Sequence, residues 1–186
     1  MNPVHKKFSR RARVATGGAV LAVVALAGFG AVNANASAPA TTSAAAAVPA
    51  RATTTSTHLT IDAATEAAQA ALDAAEKENQ RVTVAVVDRN GNTIVTLRGD
   101  GAGPQSYESA ERKAFTAVSW NAPTSQLTER LQQAPTLKDI PGTLFLAGGV
   151  PVTAGNAPIA GIGVAGAPSG ALDEKFAQAG AQAISR

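Results

Sequence analysis

The run Arg81-Val82-Thr83-Val84-Ala85-Val86-Val87, followed by Asp88-Arg89-Asn90-Gly91 and then by Asn92-Thr93-Ile94-Val95-Thr96-Leu97, decides the fold. Both flanks are dense in β-branched residues, which suit a pleated, half-buried surface. Between them the Asn-Gly pair supplies a residue that enters the left-handed region without steric cost. The stretch therefore predicts a β-hairpin. A hairpin commits this part of the sheet to antiparallel pairing, because parallel neighbours need a crossover of a dozen or more residues.

Upstream, Thr60 is a good helix N-cap, and Ile61, Ala64, Ala68, Ala71, Leu72 and Ala75 recur at helical spacing, so an Ala-rich helix is expected over 60–79. Downstream, Ser106 caps a second helix that runs to Trp120, with Tyr107, Ala110, Ala114, Ala117 and Val118 as its apolar stripe and Pro123 beyond its end. A short helix is expected over 125–133. Three apolar segments, 143–147, 150–153 and 158–165, are separated by Gly148-Gly149 and Gly155-Asn156 and read as a β-meander. A last helix, from 169 or 170 to about 185, turns Leu172, Phe176, Ala179, Ala183 and Ile184 inward. The expected fold class is α/β, with a mainly antiparallel sheet of five strands.

The N-terminus has a different character. Residues 1–36 combine a basic stretch from Lys6 to Arg13, an apolar run from Ala19 to Phe29 and the small-residue site Ala34-Asn35-Ala36, which together read as a signal peptide. Ser9-Arg10-Arg11 resembles a twin-arginine export signal, and an ordinary Sec signal is the alternative. Residues 37–57 are Ala, Thr, Ser and Pro, with Arg51 as the one charge and Val48 as the one larger apolar residue, a composition that cannot bury enough apolar surface to order itself, so a tether is expected. Residues 58–186 are then one folded domain, and the protein is expected to be secreted and held at the cell surface.

Charge and composition exclude several functions. Five of the 16 basic residues lie in the export segment, leaving 11 against 13 acidic ones, a net charge of −2 that gives nucleic acid no footing. The chain has no Cys, which removes disulfides, thiolate metal sites and Cys nucleophiles. His58 is the one imidazole past the export segment, and no G-x-S-x-G is present, so a Ser-His-Asp arrangement is not supported. Gly161-Ile162-Gly163-Val164-Ala165-Gly166 has the letters of a dinucleotide fingerprint but interrupts a strand instead of opening a helix; close backbone approach is the better account of its glycines. Gly166 to Gly170 leads into the last helix, whose start can either receive an anion or simply be capped.

Glu108 and Glu111 stand at i and i+3, so both carboxylates leave one helix face and can share a cation. Two oxygens make a weak site on their own. A solvated, dipole-favoured helix start is the alternative.

Pro141-Gly142-Thr143-Leu144-Phe145-Leu146-Ala147-Gly148-Gly149-Val150-Pro151-Val152, the later run from Gly161 to Gly170, Asp173-Glu174 and Arg112-Lys113-Ala114-Phe115-Thr116-Ala117 together resemble the GlcG/HbpS-like haem-binding or haem-degrading family. The exported, tethered N-terminus and Trp120-Asn121-Ala122-Pro123 make the chain most similar to the secreted HbpS branch. The resemblance spans Leu59 to Ile184. It implies a profilin-like αβα sandwich around a five-stranded sheet, a homo-oligomer, specifically an octamer, and haem b bound at subunit contacts. It also implies an accessory role beside a membrane sensor histidine kinase under haem or redox stress. By the same resemblance Thr143 stands near the haem iron, Glu108 and Glu111 form an E-x-x-E iron contact, and His58 is a secondary ligand candidate. A metabolic enzyme or corrinoid-associated module of the same fold is the competing function, and a purely structural surface protein is a third.

Overall fold

The computed structural model describes residues 47–185; the expected export segment and the first part of the expected tether lie outside them. Residues 47–58 are exposed and hold a single 3-10 turn, Ala50–Ala52. The elements that follow are α1 (Ile61–Lys77), β1 (Thr83–Asp88), β2 (Thr93–Arg98), α2 (Ser106–Trp120), α3 (Thr124–Arg130), β3 (Gly149–Ala154), β4 (Ala157–Ala165) and α4 (Gly170–Ala183), with a 3-10 segment at Pro135–Asp139.

The hairpin forms as expected. β1 and β2 pair antiparallel from Thr83 opposite Arg98, and Gly91 takes the left-handed conformation (φ 89°) that closes the loop. β1 also pairs antiparallel with β4, and β4 with β3, giving the order β2-β1-β4-β3. Helices cover both faces. Val82, Val84, Val86, Ile162 and Val164 point to α1 and α4, where Ala64, Ala67, Ala68, Ala71, Phe176 and Ala177 complete the main core. Ala85, Val87 and Ala165 point the other way, to Ala110, Ala114 and Val118 of α2.

The sheet has four strands where five are expected. The missing one is 143–147, and hydrogen bonding explains it. The backbone of this segment is bonded by helix side chains: Arg112 donates to the Thr143 carbonyl, Thr116 accepts from the Leu144 amide, and Thr128 donates to the Phe145 carbonyl. With those groups satisfied and Phe145 buried beside Ala122 and Leu127, the segment has no need of a strand neighbour. Two apolar stripes also begin later than expected. Ile61 and Tyr107 occupy the first turns of α1 and α2 and are 57% and 47% exposed. Ser106 is buried in the first turn of α2; its hydroxyl donates to the Gly103 carbonyl and lies 2.7 Å from that of Thr83, tying the helix start to β1.

The glycines of β3 and β4 let α2 rest directly on the sheet. Gly149 and Gly163 are register partners, and Gly161 lies two residues along on the same face. A Cβ on Gly163 would overlap the Ala110 carbonyl oxygen, one on Gly161 that of Ala114, and one on Gly149 that of Lys113. The G-x-G is thus a helix seat, as its position within a strand suggested.

Beyond the end of this seat, Lys113 reaches across to the other helical layer. Its Nζ lies 2.7 Å from Asp173 Oδ2 on α4 and donates to the Val164 carbonyl at 3.0 Å, with both side chains 5% exposed. Burial pushes the Asp173 carboxyl up from its ordinary pKa, and the Lys113 ammonium and the Ala167 amide pull it part of the way back. Next to it, buried Glu174 accepts from the Ser125 hydroxyl and amide and from the Gly148 amide, which fixes the start of α3.

Gly163→Ala is expected to cost about 1–3 kcal/mol or more, since the clash is with backbone that cannot rotate away. Urea unfolding measures it, and a loss within experimental error would mean that α2 does not sit on the strand. For the buried pair, Asp173→Asn alone is expected to cost about 3–5 kcal/mol by stranding the ammonium, whereas Asp173→Asn combined with Lys113→Met recovers a large part of that. Equal costs in single and double variants would remove the pair from the account.

Candidate functional site

With Ala110, Lys113, Ala114 and Ala117 against the sheet, α2 turns Glu108, Glu111, Arg112 and Phe115 toward its other flank. There Glu111, Arg112 and Phe115 meet the hairpin loop and the turn before Thr143. The three elements border an open cleft of about 200 Å³, lined by Val87, Gly91, Thr93, Glu111, Arg112, Phe115 and Gly142. The Phe115 ring lies between two glycine turns: a Cβ on Gly91 would come within 2.7 Å of one ring edge, and one on Gly142 within 3.5 Å of the other. Both glycines have positive φ, 89° and 80°, so backbone, not side chain, flanks the ring.

The two glutamates have different partners. Glu111 Oε1 accepts from the Thr96 hydroxyl at 3.3 Å and stands 3.5 Å from that of Thr93, which leans it toward β2. Glu108 is 79% exposed and lies 3.6 Å from Arg112 Nη1. Among the described residues no three His, Cys, Asp or Glu side chains gather to hold a metal, so the pair offers two carboxylates and any further donors must come from water or another molecule.

Thr143 is buried, at 2% exposure, immediately behind the cleft wall formed by Gly142. Its hydroxyl donates to the Ile140 carbonyl at 2.7 Å, and its carbonyl accepts from Arg112 Nη2 at 2.7 Å. The hydroxyl proton is therefore directed into its own turn, and the side chain is covered in the single chain. His58 does not line the cleft. It is exposed, with Nε2 2.7 Å from the Ser56 hydroxyl.

His58 does lie near enough to Asp88, at the base of the hairpin loop, to contribute to that residue's low pKa. Burial would raise the Asp88 carboxyl, but hydrogen bonds from Asn92 and Asn90 outweigh it and, with the His58 charge, hold it below its ordinary 3.8. A lowered carboxylate stabilises the fold above its unfolded-state pKa, and that contribution is lost as pH falls through the lowered value. At neutral pH the ionised Asp88 carboxylate accepts from the Asn90 and Asn92 amides of the loop.

Arg112 contacts two of the four candidate residues, Glu108 and Thr143; Glu111 lines the same cleft as Arg112, and His58 lies apart. Arg112 itself was visible in the sequence only as part of a helix motif; its place at i+4 from Glu108 was the available signal. At the start of α4 the Ser169 hydroxyl accepts from the Leu172 amide, and Asp173 accepts from that of Ala167.

Comparisons with known proteins find relatives over the folded unit. Residues 59–182 match the family described as haem degrading protein HbpS-like. A crystal structure of Streptomyces reticuli HbpS carrying two Glu-to-Asp substitutions is 74% identical, with a TM-score of 0.74 over 77% of this chain and 99% of that one. A Klebsiella pneumoniae protein, ORFY, is 28% identical, with a TM-score of 0.67 over 71% of this chain and 94% of that one. A structure of a PduOC:heme complex is 27% identical, with a TM-score of 0.64 over 69% of this chain and 96% of that one. An uncharacterised 15.0 kDa protein of Citrobacter freundii is 32% identical over 113 residues, which are 58% of this chain and 80% of that protein. The match to the family over nearly all of the folded unit, on a sheet and helix seat built from the residues that carry its motifs, makes this chain a member of the HbpS-like haem-degrading protein family.

Proposed function

We propose that this chain is an exported haem-binding protein that sequesters haem b and takes up iron released from it at Glu108 and Glu111. In the same reading it reports haem or redox stress to a membrane sensor histidine kinase. The observation that carries the haem reading is the 74% identity to HbpS across the whole folded unit. The two glutamates replaced in the Streptomyces reticuli protein are three residues apart, and Glu108 and Glu111 are the one pair of glutamates in this sequence with that spacing. Export rests on the signal-like residues 1–36 and the Ala/Thr/Pro composition after them. The kinase partnership rests on the family resemblance alone.

The cleft supports a site completed by a second copy. Its volume of about 200 Å³ is below the roughly 300–1,000 Å³ of pockets that enclose ligands of drug size. Among the described residues Tyr107, at the start of α2, and Ile140 and Leu146, on either side of Thr143 in the chain, are large apolar side chains left exposed. We read this surface as a contact within a homo-oligomer, an octamer, with haem held between subunits. Residues 37–186 contain neither Cys nor Met, the two side chains most easily oxidised, which suits a protein that handles haem and iron.

A haem titration of the mature domain, followed by absorbance and native mass, tests the reading. A Soret band that saturates on an oligomer is expected, and its absence would contradict haem binding. Thr143→Val keeps shape and deletes the oxygen. It is expected to shift the Soret band or weaken binding about tenfold or more, with His58→Ala close to wild type. Loss of haem in His58→Ala, with Thr143→Val binding normally, would reverse the ligand assignment. Glu108→Gln with Glu111→Gln keeps helix propensity and is expected to lose iron binding; unchanged binding would make the pair an ordinary helix start.

A further inference from the structure

We propose that Arg112 couples the Glu108 and Glu111 pair to the Thr143 turn, so that a cation taken up by the two carboxylates is registered in the backbone of residues 140–143. The proposal rests on the reading of the glutamate pair as an iron site. One guanidinium holds both ends: Nη2 donates to the Thr143 carbonyl at 2.7 Å, and Nη1 stands 3.6 Å from Glu108 Oε1. Only a planar fork can serve two partners in this way; a lysine ammonium is a single point charge.

The two contacts are unequal, and that gives the coupling its direction. The bond to Thr143 is short and ends on a buried residue. The contact with Glu108 is long, and its side chains are 40% and 79% exposed, so it is the exchangeable one. A divalent cation between Glu108 and Glu111 would carry twice the charge of the guanidinium and take the Glu108 oxygens. It would also repel Arg112 from a few ångströms away. Arg112 then has no carboxylate to balance it and must change its hold on Thr143.

Within residues 140–143 the other restraints are few, and the next bond to α2 is that of the Leu144 amide to the Thr116 hydroxyl at 2.7 Å. The Thr143 amide and hydroxyl both bond inside it, to the Ile140 carbonyl at 3.3 and 2.7 Å. Gly142 has positive φ and is exposed, as is Ile140. Of the hydrogen bonds made by residues 140–143, the one from Arg112 is the one that reaches α2. This same turn holds the Thr143 hydroxyl, so the state of the glutamate pair bears on Thr143. By linkage, opening the turn changes cation affinity by the same factor.

The test uses ferrous iron under argon, with binding followed by calorimetry and the turn followed by hydrogen exchange of the amides of residues 140–144. In the wild-type protein, iron is expected to change exchange in this segment by about twofold or more. Arg112→Gln removes the competing cation, so iron should bind about twofold to fivefold more tightly while the turn no longer responds. Arg112→Lys keeps the charge and loses the fork; iron affinity should stay near wild type, again without a response in the turn. Circular dichroism and melting of both variants establish that they fold.

If iron binds the wild type and the turn does not respond, the coupling is wrong and the iron site stands. An equal response in wild type and in either variant also overturns it. If iron does not bind the wild type, the glutamate reading falls and the coupling falls with it.

Discussion

The backbone of α2 lies against Gly149, Gly161 and Gly163 with no side chain between helix and strands, and the positions of the other parts follow from that contact. An alanine at any of the three would meet a helix carbonyl, which cannot rotate out of the way as a side chain can. The seat sets the height of α2 over the sheet. It therefore sets where the opposite flank of the helix brings Glu111 against the β2 threonines and Arg112 against the Thr143 carbonyl. The same closeness lets the Lys113 side chain reach past the seat to Asp173 on the far layer.

Thin layers suit the composition. Aromatic residues make up 4% of the chain, and alanine and glycine supply much of the contact between helices and sheet, beside larger side chains such as Leu72 and Phe176. Gly180 on α4 repeats the device against Ala67 of α1, where a Cβ would come within 2.5 Å of the carbonyl oxygen. Small residues give up area per side chain, but they permit close contact along whole helix faces, and dispersion accumulates with the number of close atom pairs. A core of this kind has little volume to specify register by shape. The buried Lys113–Asp173 pair and the Glu174 bonds to Ser125 and Gly148 supply directional contacts that hold α2, α3 and α4 to one arrangement.

Much of this was legible in the sequence where the signal is local. The hairpin from Thr83 to Arg98, the cap at Thr60 and the strand placement of Gly161 and Gly163 depend on neighbours a few residues away, and each appears where periodicity and turn chemistry put it. The segment 143–147 does not, because its backbone partners, Arg112, Thr116 and Thr128, are distant in sequence. An apolar run of five residues reads as a strand unless those helix donors and acceptors are known. The site divides in the same way. The i, i+3 spacing placed Glu108 and Glu111 on one helix flank, whereas the meeting of that flank with Thr143 depends on the seat of α2 and could not be read from spacing.

The central claim is that the cleft between the hairpin loop, Phe115 and the Gly142 turn is where haem is held. A crystal structure of the haem-loaded protein, with anomalous data at the iron edge, tests it directly. The account predicts one strong iron peak per haem beside the Phe115 cleft, within reach of Thr143 and with residues 140–143 displaced from the closed turn, and a second copy covering the other side of the ring. Iron density at the polar cleft formed by Asn79, Arg81 and Asp100, or haem bound with the turn still closed and Phe115 uncovered, would contradict it.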